Sequence, residues 1–163
     1  MQKPCDEKKE EFKICSGASS GGHMNELLKL LESSQNWPES PAFYITTLDA
    51  LVAKLEEKGP YYIIGECNRR CLLKVFGVLI RSLKIVVKER PDVVITTGSL
   101  PLAIFCLVAK AVGSKIVWID SIANIECFSM SGRLVLPFAD LFLTQWPELS
   151  EKYNNVEYAG ALI

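Results

Sequence analysis

The sequence predicts an α/β fold, a single Rossmann-like and doubly wound domain with a mostly parallel sheet. Segments typical of strands and of helices alternate along the 163 residues, which is the pattern of parallel sheets with helices on both faces. Two of the predicted strands, "VVIT" and "KIVWI", are continuous β-branched and apolar runs, as expected of strands that are covered on both faces.

Each predicted element has a local signal. Short apolar runs indicate strands, and apolar residues repeated at helical spacing indicate helices. Gly59-Pro60 and Arg90-Pro91 end two of the helices, because proline disfavours helical geometry in the residue before it. The predicted strands lie at 12–15, 42–46, 61–64, 93–96, 115–119, 141–144 and 156–158, and the helices at 24–31, 48–58, 72–88, 100–112 and 134–139. We expect residues 1–11 to form a flexible polar tail and residues 12–163 to form one domain.

The composition argues against several classes of protein. Lys and Arg number 18 against 19 Asp and Glu, so no basic field for nucleic acid is expected. One histidine and six cysteines without zinc-ligand spacing predict no metal site. The longest apolar segment, 100–112, is shorter than the roughly 18 residues that span a bilayer. Together with a polar start that lacks a cleavable leader, these features favour a cytoplasmic protein with reduced cysteines.

A glycine-rich loop, "SGASSGGH", follows the first predicted strand. Gly17, Gly21 and Gly22 would let the backbone turn tightly and approach a ligand, and the helix start offers free N–H groups. This is how a phosphate or diphosphate site is built, although a tight turn without a ligand explains the glycines equally well. His23, the only histidine, would donate to an anion or act as a general base, or it would be merely structural.

Two more polar loops are expected at the same edge of the sheet, where such folds bind ligands. "TTGSLP" contains Gly98 and Ser99, but capping of the next helix alone would explain Ser99. In "WIDSIANIECFSMSG", Asp120 ends a buried strand, where a carboxylate is costly without a partner. It would bind a ligand or cap the next turn with Ser121, and Asn124 lies at the same rim.

The predicted helix in "RRCLLKVFGVLIRSLKIVVKER" is apolar over most of its circumference. Its cationic side chains fall within a sector about 80° wide. The helix would either pack on the sheet with a basic solvent strip or lie at a membrane surface with Lys and Arg reaching anionic lipid. Because acidic residues are nearly absent, we predict membrane docking through Arg70, Lys74, Arg81, Lys84 and Lys88.

Several segments together resemble a known family. "SGASSGGHMNELLKLL", "PDVVITTGS", "KIVWIDSIANIECFSMSGRLVLPFADLFLTQWPELSEKY" and "YAGALI" resemble the Alg14-like family. Its members are acceptor-side subunits of the split UDP-N-acetylglucosamine transferase of dolichol-linked glycan synthesis, with PssD-like counterparts in bacterial polysaccharide assembly. The most specific segment is "SMSGRLVLPFADLFLTQWPEL". The glycine loop and His23 are also similar to those in the amino-terminal domain of MurG.

The resemblance implies half of a GT-B glycosyltransferase. The amino-terminal half of such enzymes binds a lipid-diphosphate acceptor and touches the membrane, while the carboxyl-terminal half binds the UDP-sugar. This chain would then be the acceptor-binding half, peripheral on the cytoplasmic membrane face, and would bind no cofactor itself. A small donor-binding glycosyltransferase subunit would be its partner and would carry the UDP-sugar. Eukaryotic members have an amino-terminal membrane-spanning helix, so the chain resembles a bacterial form that docks peripherally, or one whose anchor has been removed.

The resemblance also implies roles for individual residues. Gly21, Gly22 and His23 would face the acceptor diphosphate and its sugar hydroxyl. Asp120 stands where relatives often have Glu, and either His23 or Asp120 would take the proton from the attacking hydroxyl. The remaining candidates are Gly17, Ser20, Gly98 and Ser99 for the diphosphate, Ser121 and Asn124 for the acceptor rim, and Trp146, Leu149, Leu162 and Ile163 for the partner interface.

Two other functions remain open at this point. A self-sufficient nucleotide or sugar-nucleotide binding protein would share the fold, but the dinucleotide fingerprint is missing and no Asp or Glu closes the second predicted strand, "AFYITT". A scaffold that recruits a glycosyltransferase to the membrane without contributing chemistry would also fit. The first alternative expects this chain to bind a nucleotide by itself. The second expects turnover by the glycosyltransferase to be independent of His23.

Overall fold

The computed structural model of the protein describes residues 12–48, 55–68 and 70–162. Its strands are β1 (Ile14–Ala18), β2 (Phe43–Thr46), β3 (Tyr61–Ile63), β4 (Val93–Thr96), β5 (Lys115–Ile119), β6 (Leu141–Thr144) and β7 (Glu157–Tyr158). Its α-helices are α1 (Gly22–Glu32), α2 (Leu72–Glu89), α3 (Leu100–Ala111), α4 (Met130–Val135) and α5 (Pro147–Lys152), and a 3-10 helix covers Ser33–Asn36.

The strands form one sheet in the order β3-β2-β1-β4-β5-β6-β7. Neighbouring strands are parallel at every pairing, which confirms the predicted Rossmann-like fold. Side chains of α2 and α3 pack with one face of the sheet, and those of α1 pack against its other face. The loops after β1 and β4 therefore lead to opposite faces, and a crevice opens between these adjacent strands at their carboxyl ends.

Most predicted elements are present, and the differences have local causes. The short helix predicted at 134–139 is found earlier, as α4, because the Ser129 hydroxyl accepts a hydrogen bond from the Gly132 amide and caps its start. Helix α5 was not predicted, although Pro147 at its first position is typical of a helix start. Of the helix predicted at 48–58, residues 49–54 lie outside the described residues, as does the predicted tail 1–11.

Strand β1 runs three residues further than the predicted strand and takes in Gly17. A Cβ atom at Gly17 would lie 2.8 Å from Leu102 Cδ1 and 3.0 Å from Ile45 Cβ. The glycine is therefore needed for α3 and β2 to approach the central strand. Because Gly17 is buried inside the sheet rather than in the loop, its predicted place among the diphosphate ligands is wrong.

Candidate functional site

The imidazole of His23 is held by the loop that follows β4. Nδ1 lies 2.7 Å from the Thr97 carbonyl oxygen, and the Thr97 hydroxyl donates to the His23 carbonyl oxygen at 2.7 Å. A carbonyl oxygen only accepts hydrogen bonds, so Nδ1 carries the proton and Nε2 keeps the lone pair of the neutral ring. Gly21, with φ 81°, turns the chain into α1 just before His23.

Gly98 makes room for this ring. A Cβ atom at Gly98 would lie 3.2 Å from His23 Cε1 and 3.4 Å from Trp118 Cζ2. The backbone at Gly98 also has φ 115°, which side chains of L-residues rarely tolerate. Both the backbone conformation and the space at this position therefore require glycine.

We expect Gly98→Ala to lower the free energy of unfolding by about 2–3 kcal/mol, of which about 1–2 kcal/mol is backbone strain and about 1 kcal/mol the contact with the ring. Denaturant titration measures the loss. Gly113→Ala is the matched control, because Gly113 has φ 102° but no atom within 4 Å of an added Cβ. Equal losses in the two variants would show that the imidazole contact contributes nothing.

Glu26 lies one turn beyond His23 and is only 5% exposed. Its Oε1 accepts hydrogen bonds from the Ser121 hydroxyl at 2.9 Å and the Ile122 amide at 3.0 Å, while Oε2 lies 3.7 Å from His23 Nδ1. Glu26 was not among the site residues predicted from the sequence. The available signal was an acidic residue three positions after a histidine on one helix, a spacing that brings two side chains together.

Glu26 and His23 shift each other's proton affinity. The neighbouring Glu26 carboxylate raises the pKa of His23 above its ordinary value, burial opposes this shift, and the Thr97 carbonyl and Asp120 add to it. Burial by itself raises the pKa of Glu26, but His23, the Ile122 amide and the Ser121 hydroxyl outweigh it and hold the pKa below its ordinary value. Each of the two groups therefore stabilises the charged form of the other.

Asp120 is 2% exposed and both of its oxygens are engaged. Oδ1 accepts from the Trp118 indole N–H at 3.2 Å and the Ser129 hydroxyl at 2.7 Å, and Oδ2 accepts from the Asn124 amide group at 3.0 Å and the Ser129 backbone N–H at 3.1 Å. Ser121 bonds to Glu26 instead of closing a turn with Asp120. The carboxylate thus orders the loop after β5, and its role as general base stays a prediction that this geometry does not favour.

A polar pocket of about 330 Å³ lies beside this site, between the loops after β1, β2, β3 and β4. Ser99 reaches it from the position before α3, but its hydroxyl makes no capping bond. The Ser99 Oγ is buried and has no hydrogen-bond partner among the described residues, so the capping interpretation is wrong. The pocket is lined by Ser19, Thr47, Glu66, Cys67, Asn68, Lys74, Ser99, Leu100 and Pro101.

The other predicted diphosphate residues surround this pocket unevenly. Ser20 does not line it, but it bonds to two residues that do: its hydroxyl donates to Glu66 Oε1 at 3.2 Å and its amide to Thr47 Oγ1 at 3.4 Å. Gly21 and Gly22 are exposed, and a Cβ atom on either would meet no atom within 4 Å. The surface in front of these two glycines is open to a ligand.

Helix α2 buries a narrow stripe and exposes a wide apolar face. Val78, Ser82, Ile85 and Val86 face the core. The exposed apolar face comprises Leu72, Leu73, Phe76, Leu79, Ile80, Leu83 and Val87, with Leu73 86% and Phe76 61% exposed.

The cations lie on the flank of this face and not at its centre. Arg81 donates to the Ile64 carbonyl oxygen at 3.3 Å, Lys88 donates to the Tyr62 hydroxyl at 2.8 Å, and Lys74 lines the polar pocket. Three of the five predicted membrane-docking cations therefore point toward β3 and its loop. Arg70 and Lys84 are exposed.

The predicted partner-interface residues differ in exposure: Leu149 is buried, whereas Trp146 and Leu162 are half-buried. Leu149 is 2% exposed and packs in the main core, so its assignment to a partner surface is wrong. The Leu162 amide donates to Gln145 Oε1 at 2.7 Å, and the half-buried Trp146 donates its indole N–H to the Ile122 carbonyl oxygen at 2.7 Å. Ile163 lies outside the described residues.

Two features are absent from the described part of the chain. No helix there has the length and apolar character needed to cross a membrane. Among the same residues, no group of three or more His, Cys, Asp or Glu side chains is arranged to hold a metal ion.

Solved structures with a similar fold include glycosyltransferases and epimerases. MurG of Acinetobacter baumannii aligns with a TM-score of 0.73 at 13% identity, over 91% of this chain and 45% of that one. The UDP-GlcNAc 2-epimerase of Methanocaldococcus jannaschii aligns with a TM-score of 0.65 at 16% identity, over 90% of this chain and 45% of that one. The chain spans a little under half the length of these structures, and at such identities the likeness concerns the fold.

Sequence comparison gives the family. The chain is 29% identical to the mouse UDP-N-acetylglucosamine transferase subunit ALG14, over 95% of this chain and 85% of the relative. It is 30% identical to the rat protein of that name, over 90% of this chain and 81% of the relative. It is 26% identical to the Yarrowia lipolytica protein of that name, over 88% of this chain and 78% of the relative. A family model described as "Oligosaccharide biosynthesis protein Alg14 like" matches residues 63–162. The chain belongs to the Alg14-like family of oligosaccharide biosynthesis proteins.

Proposed function

We propose that this chain is the acceptor-binding and membrane-docking subunit of a two-chain UDP-sugar glycosyltransferase. The acceptor is a sugar carried on a polyprenyl diphosphate, and a small partner subunit binds the UDP-sugar. One observation carries the proposal: a chain of the Alg14-like family, whose relatives are named transferase subunits, has a fold that matches a little under half of a MurG chain. A chain of this kind needs a second one to complete its cleft.

His23 acts as the general base of the proposed reaction. Its Nε2 takes the proton from the acceptor hydroxyl while that oxygen forms a bond to the anomeric carbon of the donor sugar. The bond between that carbon and the UDP oxygen breaks, and UDP leaves with the electron pair. The Thr97 carbonyl keeps the Nδ1 proton in place, so that Nε2 is the basic atom.

The acceptor diphosphate occupies the polar pocket beside His23. Three features support this placement: the unpartnered Ser99 hydroxyl, the start of α3, and the cation of Lys74. The Glu66 carboxylate is held at the same pocket by Ser20 and adds one negative charge, which the charge of Lys74 balances. The charge of the ligand is met by the Ser99 hydroxyl and the free N–H groups at the start of α3. The polyprenyl chain then leaves the pocket along Leu73 and Phe76, at the start of the exposed apolar face.

We expect Lys74→Gln to raise the KM for the acceptor about tenfold or more, because a charge-assisted hydrogen bond to phosphate is lost. A water-soluble, short-chain acceptor makes the measurement independent of membrane binding. Lys84→Gln is the control, since Lys84 lies on the same helix but not in the pocket. Equal KM values for the two variants would contradict the assignment of Lys74 to the diphosphate.

The membrane contact is the exposed apolar face of α2. Its large apolar side chains stand beside a row of cations, which is the arrangement of helices that lie in the headgroup region. We place the protein at the cytoplasmic surface of the membrane, where this face enters the lipid and Arg70 and Lys84 reach anionic headgroups.

Reconstitution tests the proposed function. The purified chain and its donor-binding companion are each added alone, and then together, to vesicles that contain a polyprenyl-diphosphate sugar and to UDP-N-acetylglucosamine. We expect sugar transfer only with both chains present. Transfer by this chain alone, or its tight binding of NAD or UDP-sugars, would support the nucleotide-binding alternative. Full turnover of a complex that carries His23→Ala would support the scaffold alternative.

A further inference from the structure

Glu26 has one carboxylate oxygen without a hydrogen-bond partner. Oε1 is satisfied by the Ser121 hydroxyl and the Ile122 amide, whereas Oε2 is buried and unpaired among the described residues. A buried anionic oxygen without a partner is costly. His23 Nδ1 lies 3.7 Å from Oε2, so a positive charge on the imidazole would reduce this cost.

We propose that Glu26 is a positioning residue for His23: it fixes the ring with the proton on Nδ1 and stabilises the imidazolium that forms when Nε2 takes a proton. This inference rests on the proposed function only in naming the acceptor hydroxyl as the source of that proton. The arrangement follows the logic of a base oriented by a carboxylate. Here the Nδ1 proton is bonded to the Thr97 carbonyl oxygen, and the Glu26 carboxylate supplies the negative charge that stabilises the imidazolium.

Glu26 also connects the base to the wall of the site. Its contacts with Ser121 and Ile122 span 95 and 96 positions of the sequence and join α1 to the loop after β5. Asp120 orders the remainder of that loop through Ser129 and Asn124. The distance between the imidazole and the predicted acceptor rim is therefore set by Glu26.

The charged groups around His23 all favour its protonated form. Glu26 acts from the same helix and Asp120 from the end of β5, and the Thr97 carbonyl dipole adds to both. The pKa of His23 is thus higher in the folded protein than in the unfolded chain. The His23–Glu26 interaction contributes its full stabilisation between about pH 4.5 and pH 6.5, the ordinary pKa values of the two groups. It is lost as the pH rises through the raised pKa of folded His23 and as the pH falls through the lowered pKa of folded Glu26.

The chain suits a direct test because it contains a single histidine. In the tag-free labelled protein, one imidazole Cε1–H signal is followed by NMR from pH 5 to 9. We expect Glu26→Gln to move the titration midpoint downward from that of the wild type, whereas Glu32→Gln, at the exposed end of α1, leaves it in place. An unchanged midpoint in Glu26→Gln would overturn the proposal.

A second measurement does not depend on the variant folding. The ¹⁵N chemical shifts of wild-type His23 above its midpoint identify the tautomer, and we expect the proton on Nδ1. A proton on Nε2 would overturn the proposal by itself.

In the reconstituted complex, Glu26→Gln should lower kcat by roughly 10²-fold and shift the acid limb of the kcat/KM profile to lower pH. Glu26→Asp should recover part of the loss and return the limb toward the wild-type position. If activity fell while the acid limb of the kcat/KM profile stayed in place, Glu26 would only support the fold, and the proposal would be contradicted. If the NMR results hold but His23→Ala leaves transfer unchanged, the coupling stands and the proposed function fails.

Discussion

Replacing His23 with alanine is expected to lower the kcat of the two-chain transferase by about 10²–10⁴-fold, the usual contribution of a general base. The imidazole is half-buried and bonded through Nδ1 to the Thr97 carbonyl. Loss of the ring leaves the acceptor hydroxyl without the Nε2 lone pair. Turnover of the reconstituted complex at saturating donor and acceptor measures the effect.

Two controls separate catalysis from folding and docking. His23→Ala should bind vesicles as the wild type does, because the exposed face of α2 is unchanged. His23→Gln keeps a polar side chain near Thr97 and should lose as much turnover while retaining more stability. A loss smaller than about tenfold in both variants would remove His23 from the role of base.

The second large effect concerns the exposed apolar face of α2. We expect the double variant Leu73→Asp, Phe76→Asp to lose vesicle binding by at least about 10²-fold. Each of these side chains gains about 1.5–3 kcal/mol on leaving water, and the new carboxylates are repelled by anionic lipid. Cosedimentation with vesicles that contain anionic lipid measures the loss.

The fold should tolerate this change. Leu73 and Phe76 are 86% and 61% exposed, so their replacement removes little packing. Ile125→Asp is the control, because Ile125 is 56% exposed but lies in the loop after β5. If Ile125→Asp weakened binding as much, or if the double variant bound normally, α2 would not be the docking surface.

The order of elements could be predicted because strand and helix periodicities are local. Which side chains of α2 are buried could not be predicted, because this depends on the elements that pack against the helix. Helix α2 packs beside α3, and its Arg81 and Lys88 bond to the edge strand β3 and the loop after it. Its core contact is therefore narrow, and side chains that looked suited to a sheet-packing helix remain exposed.

The site itself could be predicted in part. His23 stood out as the only histidine, next to a glycine turn. Glu26 did not, because its partners Ser121 and Ile122 lie far along the chain. Ser99 has the right residue type for a helix cap, but its φ of 104° is not the extended backbone that capping requires. Residue type alone does not reveal such a backbone.

The first turn of α2 places Leu73 next to Lys74 in the chain, so their Cα atoms are about 3.8 Å apart. If α2 docks on lipid as proposed, with Leu73 among the acyl chains, the pocket that Lys74 lines would open at the level of the lipid phosphates. The depth of the pocket in the membrane would then favour a diphosphate carried on a lipid, which is concentrated in this layer, over a soluble sugar nucleotide, which is dilute there. Attachment of the protein and discrimination between two diphosphates would thus follow from a single turn of helix.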